Sequence, residues 1–530
     1  MKWSGRSKNM RIALVFALLV PMTAVISLPT GTAGARILQP VGDYESAPCP
    51  FVLPDGLVEG DDVECGYLIV PERHELPDGP TIRLAVATLN RTGASESGPP
   101  LILLNGGPGQ GSDGLFSLFA PGENGTLAAL REGRDVVLFD QRGTGRSEPA
   151  LLCTGDTVEP FDPAAALPTP DDAVEAPEDI DEMIGFYDEC LAGWERDGVD
   201  LGAYTTAQNA ADVAALRTAR GYDEVDLLGI SYGTRLALTV MRDHPEGIRS
   251  VVMGSVLPLE VDLYAGQVVA FDAVLRKIFA GCQDDPACAS ILPDPEQTLE
   301  QLVATLDASP MTVSYEPLAG GDPIAVDVDG SAFLSMLYVA AFVGPLVGAI
   351  PALIALTASG APDGLAVLLP ISDLLSMGVA SGMLLAVNCQ DEAPFSSMAN
   401  VEAAAEAAEV LAPLRTDAFY QTSGASLQLV CAPLDLASSP AVENEPVTSD
   451  IPALLVSGEY DPITPPAYGE TVSTFLSNSV HVVLSGVSHD PISSSPDCAV
   501  TIVVEFLADP AGRVDTSCAD DVVVDFSPGF

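Results

Sequence analysis

Lysine is almost missing from this 530-residue chain: Lys2, Lys8 and Lys277 are its only copies. With arginine, the basic residues number 22 against 74 Asp and Glu, a formal net charge of −52. Binding nucleic acid requires cations to neutralise phosphates, and docking on anionic lipid requires the same. This balance excludes both partners. Histidine is scarce too, at four residues, so chemistry that needs an imidazole has few candidates. No Cys/His spacing resembles a zinc site, and no metal or organic cofactor is expected. Apolar residues are not lacking. They make up 48% of the chain, which excludes the disorder that high net charge alone would suggest. The length exceeds one compact core and allows two or three domains.

The N-terminus differs from the rest. Lys2, Arg6, Lys8 and Arg11 form a basic start, Ile12–Leu28 is an apolar run, and Ala33-Gly34-Ala35 is a small-residue cleavage pattern. Together they read as a secretory signal peptide, residues 1–35. They predict a secreted protein (extracellular, periplasmic or cell-surface) with no stable membrane insertion after cleavage. All ten Cys follow this segment. An even number in an exported chain points to disulfides. Sequence does not fix their connectivity, and pairing of neighbours is the expectation: Cys49–Cys65, Cys153–Cys190, Cys282–Cys288, Cys389–Cys431 and Cys498–Cys518. Oligomeric state is left open.

Short apolar runs recur along the chain: residues 64–70, 82–89, Leu101–Leu104, Val136–Phe139, Val225–Leu228, Val251–Met253, Ala453–Val456 and His481–Leu484. Bounded by turns, they fit buried parallel strands. Ala207–Arg220 and Thr234–Arg242 have helical spacing between them, so the pattern predicts an α/β fold with a mostly parallel central sheet. Two stretches break the rhythm. Residues 154–182 read as an exposed acidic loop. Residues 260–445 read as a mainly helical insertion, a cap, dividing a core into residues 36–259 and 446–530. Within it, Phe333–Ala358 is apolar enough to raise the question of a membrane span. Pro345 and Pro351 interrupt it, and both flanks must stay on one side, so packed helices are expected.

Gly229-Ile230-Ser231-Tyr232-Gly233 lies between a strand run and a helix. Small residues two before and two after the serine let the chain turn sharply and present the hydroxyl above the sheet. Ser231 is therefore the expected nucleophile. A serine nucleophile needs a base. His74 lies in an early charged turn and His244 at a helix end. In this strand–turn–helix architecture the triad runs Ser, acid, His, which leaves His481 and His489. His481 begins a strand, whereas His489 follows its C-terminal edge, where sites in such sheets lie. His489 is the expected base. Asp461, just past the Ala453–Val456 run, is the expected orienting acid, with Glu459 and Asp490 as competitors. The oxyanion requires backbone N–H donors. Tyr232 follows the nucleophile, and Asn105-Gly106-Gly107-Pro108-Gly109-Gln110-Gly111 follows Leu101–Leu104. Tyr232 and Gly107 are the expected pair.

With these residues in hand, the chain resembles the secreted branch of the proline iminopeptidase and tripeptidyl aminopeptidase family, within the α/β-hydrolase fold. Val63-Glu64-Cys65-Gly66, the Asn105–Gly109 loop and Thr205-Thr206 with Asp212 match it. So do Asp140-Gln141-Arg142-Gly143-Thr144-Gly145-Arg146-Ser147, the Ser231 elbow and Asp461-Pro462-Ile463-Thr464-Pro465. The resemblance implies a serine exopeptidase that releases one or a few residues from a free peptide N-terminus, under a helical cap. Cap carboxylates of such enzymes hold the substrate ammonium. Val387-Asn388-Cys389-Gln390-Asp391-Glu392 resembles that segment, making Glu392 the first candidate ligand and Asp391 the second. Asp140 and Arg142 are expected in structural ion pairs, since a buried Arg needs paired acceptors. Two residues depart from the family pattern. Asp490 stands where Gly usually follows the catalytic His, with an expected upward push on the His pKa, and Asn105 replaces His or Pro. A carboxyl-ester hydrolase with the same triad is the alternative, favoured by an entirely apolar cap pocket. A non-enzymatic hydrolase-fold module is the third reading. The Lys-poor, acid-rich composition also suggests adaptation to salt.

Overall fold

A computed structural model describes residues 41–93, 98–120, 125–153, 180–376, 378–414, 426–434 and 436–526. The expected signal segment 1–35 and most of the acidic stretch 154–182 lie outside these residues. The strands are β1 (Asp43–Ser46), β2 (Val63–Pro71), β3 (Thr81–Leu89), β4 (Leu101–Leu104), β5 (Val136–Phe139), β6 (Val225–Ile230), β7 (Ile248–Gly254), β8 (Met311–Tyr315), β9 (Ile324–Val328), β10 (Ala453–Gly458) and β11 (Ser479–Leu484). Nine of them form one sheet in the order β1-β2-β3-β5-β4-β6-β7-β10-β11. β1, β2 and β3 join antiparallel, as does β3 with β5, and every pairing from β5 to β11 is parallel.

The short apolar runs are explained by burial on both faces. In β4, Leu101 and Leu103 enter one core while Ile102 and Leu104 enter the other. β5 and β10 divide in the same way: Leu138 and Val456 face the first core, and Phe139 and Leu455 face the second. The helices Thr206–Ala219 and Tyr232–Asp243 cover the second face through Val213, Leu216, Leu236 and Val240. The first face is closed by Phe116, Phe119 and the helix Pro496–Ala508. β1 was not legible because it is a short polar edge strand, Asp-Tyr-Glu-Ser, with no apolar alternation.

Between β7 and β10 the chain builds the helices Leu263–Asp284, Pro295–Ala308, Gly330–Phe342, Ile350–Ala358, Ser381–Val387 and Met398–Ala407. Their own core includes Phe271, Leu275, Leu299, Phe333, Leu337 and Ile354. Part of the acidic surplus is spent on their starts. Asp262, Asp294 and Asp329 accept the N–H of Ala265, Gln297 and Ala332 at 3.1, 3.3 and 2.8 Å, satisfying donors that a helix leaves unpaired. The β8–β9 hairpin is an unexpected element of this helical stretch, and Val313 and Val328 are the buried residues of its strands. Phe333–Ala358 does not form one helix. Val343 ends the first, a short 3₁₀ segment Gly344–Ala349 follows, and Ile350–Ala358 folds back into the same core. Among the described residues no helix is long and apolar enough to cross a membrane. All ten Cys are bonded in the five neighbour pairs, Cys49–Cys65, Cys153–Cys190, Cys282–Cys288, Cys389–Cys431 and Cys498–Cys518, which fits an oxidising compartment.

Candidate active site

Ser231 stands between β6 and the helix Tyr232–Asp243 with φ 56° and ψ −123°. A non-glycine residue there costs roughly 1–3 kcal/mol and persists only where its surroundings impose it. Those surroundings leave no room for side chains. A Cβ on Gly229 would lie 2.4 Å from Gly233 O, and one on Gly233 would lie 1.9 Å from Leu104 O. Ser231 N–H donates to Gly254 O at 2.9 Å, and its carbonyl accepts from Thr234 N and Oγ1 at 2.8 and 2.7 Å. Ser231 occupies the N-cap position, yet its hydroxyl caps nothing, so the side chain is left free.

His489 follows β11 on the loop Ser485–Ser488 and is buried, with Nδ1 2.9 Å from Asp461 Oδ2. Asp461 is fully buried after β10. Its Oδ1 accepts the N–H groups of Ile463 and Thr464 at 2.9 and 2.8 Å. Its Oδ2 also accepts the hydroxyls of Thr464 at 2.7 Å and Ser255 at 2.9 Å. Burial alone would raise this carboxyl, but the facing His489 and these hydrogen bonds hold it below the usual carboxylate range. Burial alone would also lower the His489 pKa. The charge and hydrogen bond of Asp461, and then the charge of Asp490, outweigh it and leave the imidazole above its ordinary value. Asp490 has φ 51° and ψ 65°, a left-handed conformation that Gly or Asp tolerates. That accounts for an Asp at a position where Gly is usual.

Gly106 brings the glycine-rich loop against the nucleophile: a Cβ there would lie 3.2 Å from both Ile230 O and Ser231 Cβ. Gly107 has φ +106°, a conformation that excludes side chains. Its N–H makes no hydrogen bond among the described residues. Tyr232 N–H belongs to the first helical turn, where donors lack intrahelical partners. The loop is also laced to the β7–β10 insertion. Gly109 O accepts from Ala380 N at 2.9 Å, and Gly111 N donates to Gly378 O at 3.1 Å.

A cavity of about 540 Å³ joins these groups. Gly107, Ser231, Tyr232, Thr464, His489 and Asp490 line it from the sheet, and Tyr264, Gln267, Phe342, Asn388 and Glu392 from the insertion. Glu392 Oε1 lies 2.9 Å from Arg235 Nε, and its other oxygen has no partner among the described residues. Burial pushes the Glu392 carboxyl up to about 7, against the pull of Arg235. Asp391, expected as the second amine ligand, is turned away. It is buried outside the cavity lining, and its carboxylate accepts Thr206 N at 2.8 Å, Thr206 Oγ1 at 2.6 Å and the hydroxyl of Ser439. A carboxylate so enclosed has no face left for a substrate.

The ion-pair expectation for Asp140 and Arg142 needs correcting in one half. Arg142 does pair, with Asp212 at 2.8 and 2.7 Å, and donates to Glu72 O and Ala203 O. Asp140 instead accepts the backbone N–H groups of Ser112 and Arg146, both at 2.6 Å. The turn through Gly143 and Gly145 sends the two side chains in different directions; a Cβ on Gly145 would lie 2.1 Å from Asp140 Oδ2. His481 binds Ser457 Oγ at 3.0 Å, away from the cavity. Sequence reasoning missed Ser255, Phe342 and Arg235. Ser255 has φ 56°, and with Ser231 and Asp490 it completes the non-glycine positive-φ residues of the described chain. All three meet at this site.

Residues 99–287 match the α/β-hydrolase fold family, and residues 417–518 match the TAP-like family. The chain thus carries an α/β-hydrolase domain and a TAP-like domain. It is similar to serine protease Hip1 of Mycobacterium tuberculosis, 26% identical over 538 residues that cover 96% of this chain and 97% of that protein. It is also similar to tripeptidyl aminopeptidase of Streptomyces lividans, 32% identical over 226 residues, or 42% of this chain and 40% of that protein. Among solved structures, proline iminopeptidase of Mycobacterium smegmatis is 16% identical. That match covers 81% of this hydrolase and 96% of that chain at a TM-score of 0.35. The hydrolase is a serine hydrolase whose relatives carry the names serine protease and aminopeptidase.

Proposed function

We propose that this hydrolase is a secreted exopeptidase that removes one or a few residues from peptide N-termini. One observation carries the reading: Ser231 and His489 share a cavity with Glu392, a carboxylate that keeps one oxygen free. Ser231 Oγ attacks the substrate carbonyl carbon and passes its proton to His489 Nε2. Asp461 holds the imidazole by Nδ1 and stabilises its cation. The N–H groups of Gly107 and Tyr232 receive the developing oxyanion. His489 returns the proton to the leaving amine, which departs and leaves an acyl-Ser231 ester. Water then attacks that ester, gives a proton to His489 and releases the N-terminal fragment, and the proton returns to Ser231. Residues 260–445 act as the cap, and Glu392 receives the substrate ammonium. Arg235 keeps four carbonyl acceptors besides Glu392, those of Pro258, Leu259, Asp391 and Glu443, so the carboxylate can turn toward a cation without stranding the guanidinium.

The apolar wall formed by Leu257, Leu263, Val379 and Leu384 favours the ester reading, whereas Glu392, Asn388 and Gln267 beside it favour a peptide. Turnover of prolyl and tripeptidyl arylamides, compared with short acyl esters, tests the assignment. Arylamide hydrolysis is expected. Ester turnover with no arylamide turnover would overturn it.

A further inference from the structure

The cap helix Gly330–Phe342 ends directly on the loop that carries His489. The Phe342 ring stacks on the imidazole with centroids 4.5 Å apart and planes inclined by 27°. Phe342 also lines the cavity. One residue earlier, Ala341 O accepts the hydroxyl of Ser488, which also lies 3.1 Å from Tyr460 O. Ser488 is fully buried and immediately precedes His489. The base is therefore gripped from both sides. The sheet holds it through Asp461, at Nδ1, and the cap holds it through a ring face and, by way of its neighbour Ser488, a backbone carbonyl.

A ring tethered only at Nδ1 can still tilt about that hydrogen bond. A second plane against its face removes that freedom, and an aromatic face is also attractive to an imidazolium. We infer that Phe342 is a positioning residue that fixes the plane of His489, so that the seating of the cap sets the competence of the base. This rests on the proposed role of His489. It goes beyond that role because it assigns part of the proton transfer to a residue of the insertion. A cap displaced from the sheet would carry Phe342 and the Ala341 carbonyl away together, leaving the triad formed but its imidazole loose.

The test uses the full protein as wild type, Phe342→Ala, Phe342→Leu, Phe342→Tyr and His489→Ala. It reads the second-order rate of covalent labelling by a fluorophosphonate, with kcat and KM on p-nitrophenyl acetate. The small probe needs an activated Ser231 and makes little use of the peptide subsites. Labelling and kcat are expected to fall together by roughly fivefold to tenfold in Phe342→Ala, with KM little changed. Phe342→Tyr restores both, and Phe342→Leu, which fills the space without a ring face, does not. Unchanged labelling in Phe342→Ala, or full recovery in Phe342→Leu, would overturn the inference. If Phe342→Ala does not fold, the Tyr and Leu variants carry the same decision. His489→Ala separates the two levels: wild-type labelling in that variant would sink the triad itself, whereas lost labelling there beside an unaffected Phe342→Ala would sink only the role of Phe342.

Discussion

Ser231 and Glu392 face the same cavity, yet the sheet holds one by its backbone, while the other, on the insertion, is held by pairing with Arg235 of the helix Tyr232–Asp243. On the sheet side, strand ends, close glycine contacts and positive φ angles at Ser231, Ser255 and Asp490 fix each group. On the insertion side, neighbours in sequence part company: Glu392 lines the cavity while Asp391 is locked onto Thr206 and Ser439. Position along the chain determines the first set. Packing between distant segments determines the second, with Arg235 and Glu392 lying 157 positions apart. The proposed chemistry is thus local in origin, and the proposed recognition of substrate is not.

Mutations on each side should fail differently. The largest effect belongs to the sheet. Ser231→Ala should lower kcat by roughly a million-fold and abolish fluorophosphonate labelling, with the folded state intact by circular dichroism. Next comes Glu392→Gln. It should raise KM for free-amine arylamides by roughly tenfold to hundredfold and leave p-nitrophenyl acetate untouched; equal damage to both substrates would erase the division between the two halves. Ser255→Gly is milder. Gly accepts φ 56° without strain, but the variant removes a donor to Asp461 and the acceptor of Asp490 N–H at 3.0 Å. A loss of roughly tenfold in kcat at constant KM is expected from stopped-time assays.

A smaller effect is expected at Asp490. The base works deprotonated, so activity falls as pH drops through the His489 pKa, which lies above its ordinary value. The groups facing that imidazole are Asp461, Asp490, the Thr464 hydroxyl and the Phe342 ring. Asp490→Asn keeps the left-handed turn and an acceptor for Ser493 N–H but removes the charge. The acid limb of kcat/KM should move to lower pH. Smallest per residue is the contribution of the acidic surface. At a net charge of −52, self-repulsion is screened by salt, so the melting temperature should rise from low to molar sodium chloride. A flat or falling profile would remove the salt-adaptation reading.

The sheet half was legible in the sequence because its constraints are short-range. Gly229 and Gly233 must flank Ser231, apolar runs must mark strands buried on both faces, and Asp461 and His489 must follow strand ends. The five disulfides followed from the pairing of neighbours. Polar β1 and the partly exposed β8–β9 hairpin carry no such signature. Phe342 read as one more apolar residue of a helical stretch, since nothing local marks a ring that will lie on a histidine 147 positions away. Ser255 was hidden for a related reason: its φ 56° is imposed by the loops it joins, not by its own side chain. Glu392 and Asp391 stood as first and second candidates together because a difference of one position on a helical turn decides which faces the cavity.

The division of labour between the two halves is tested most directly by kcat/KM for one tripeptidyl arylamide presented with a free and with an acetylated N-terminus. The account predicts that the free amine is preferred by roughly tenfold or more and that Glu392→Gln removes the preference. Equal turnover of the two substrates by the wild-type enzyme would contradict it.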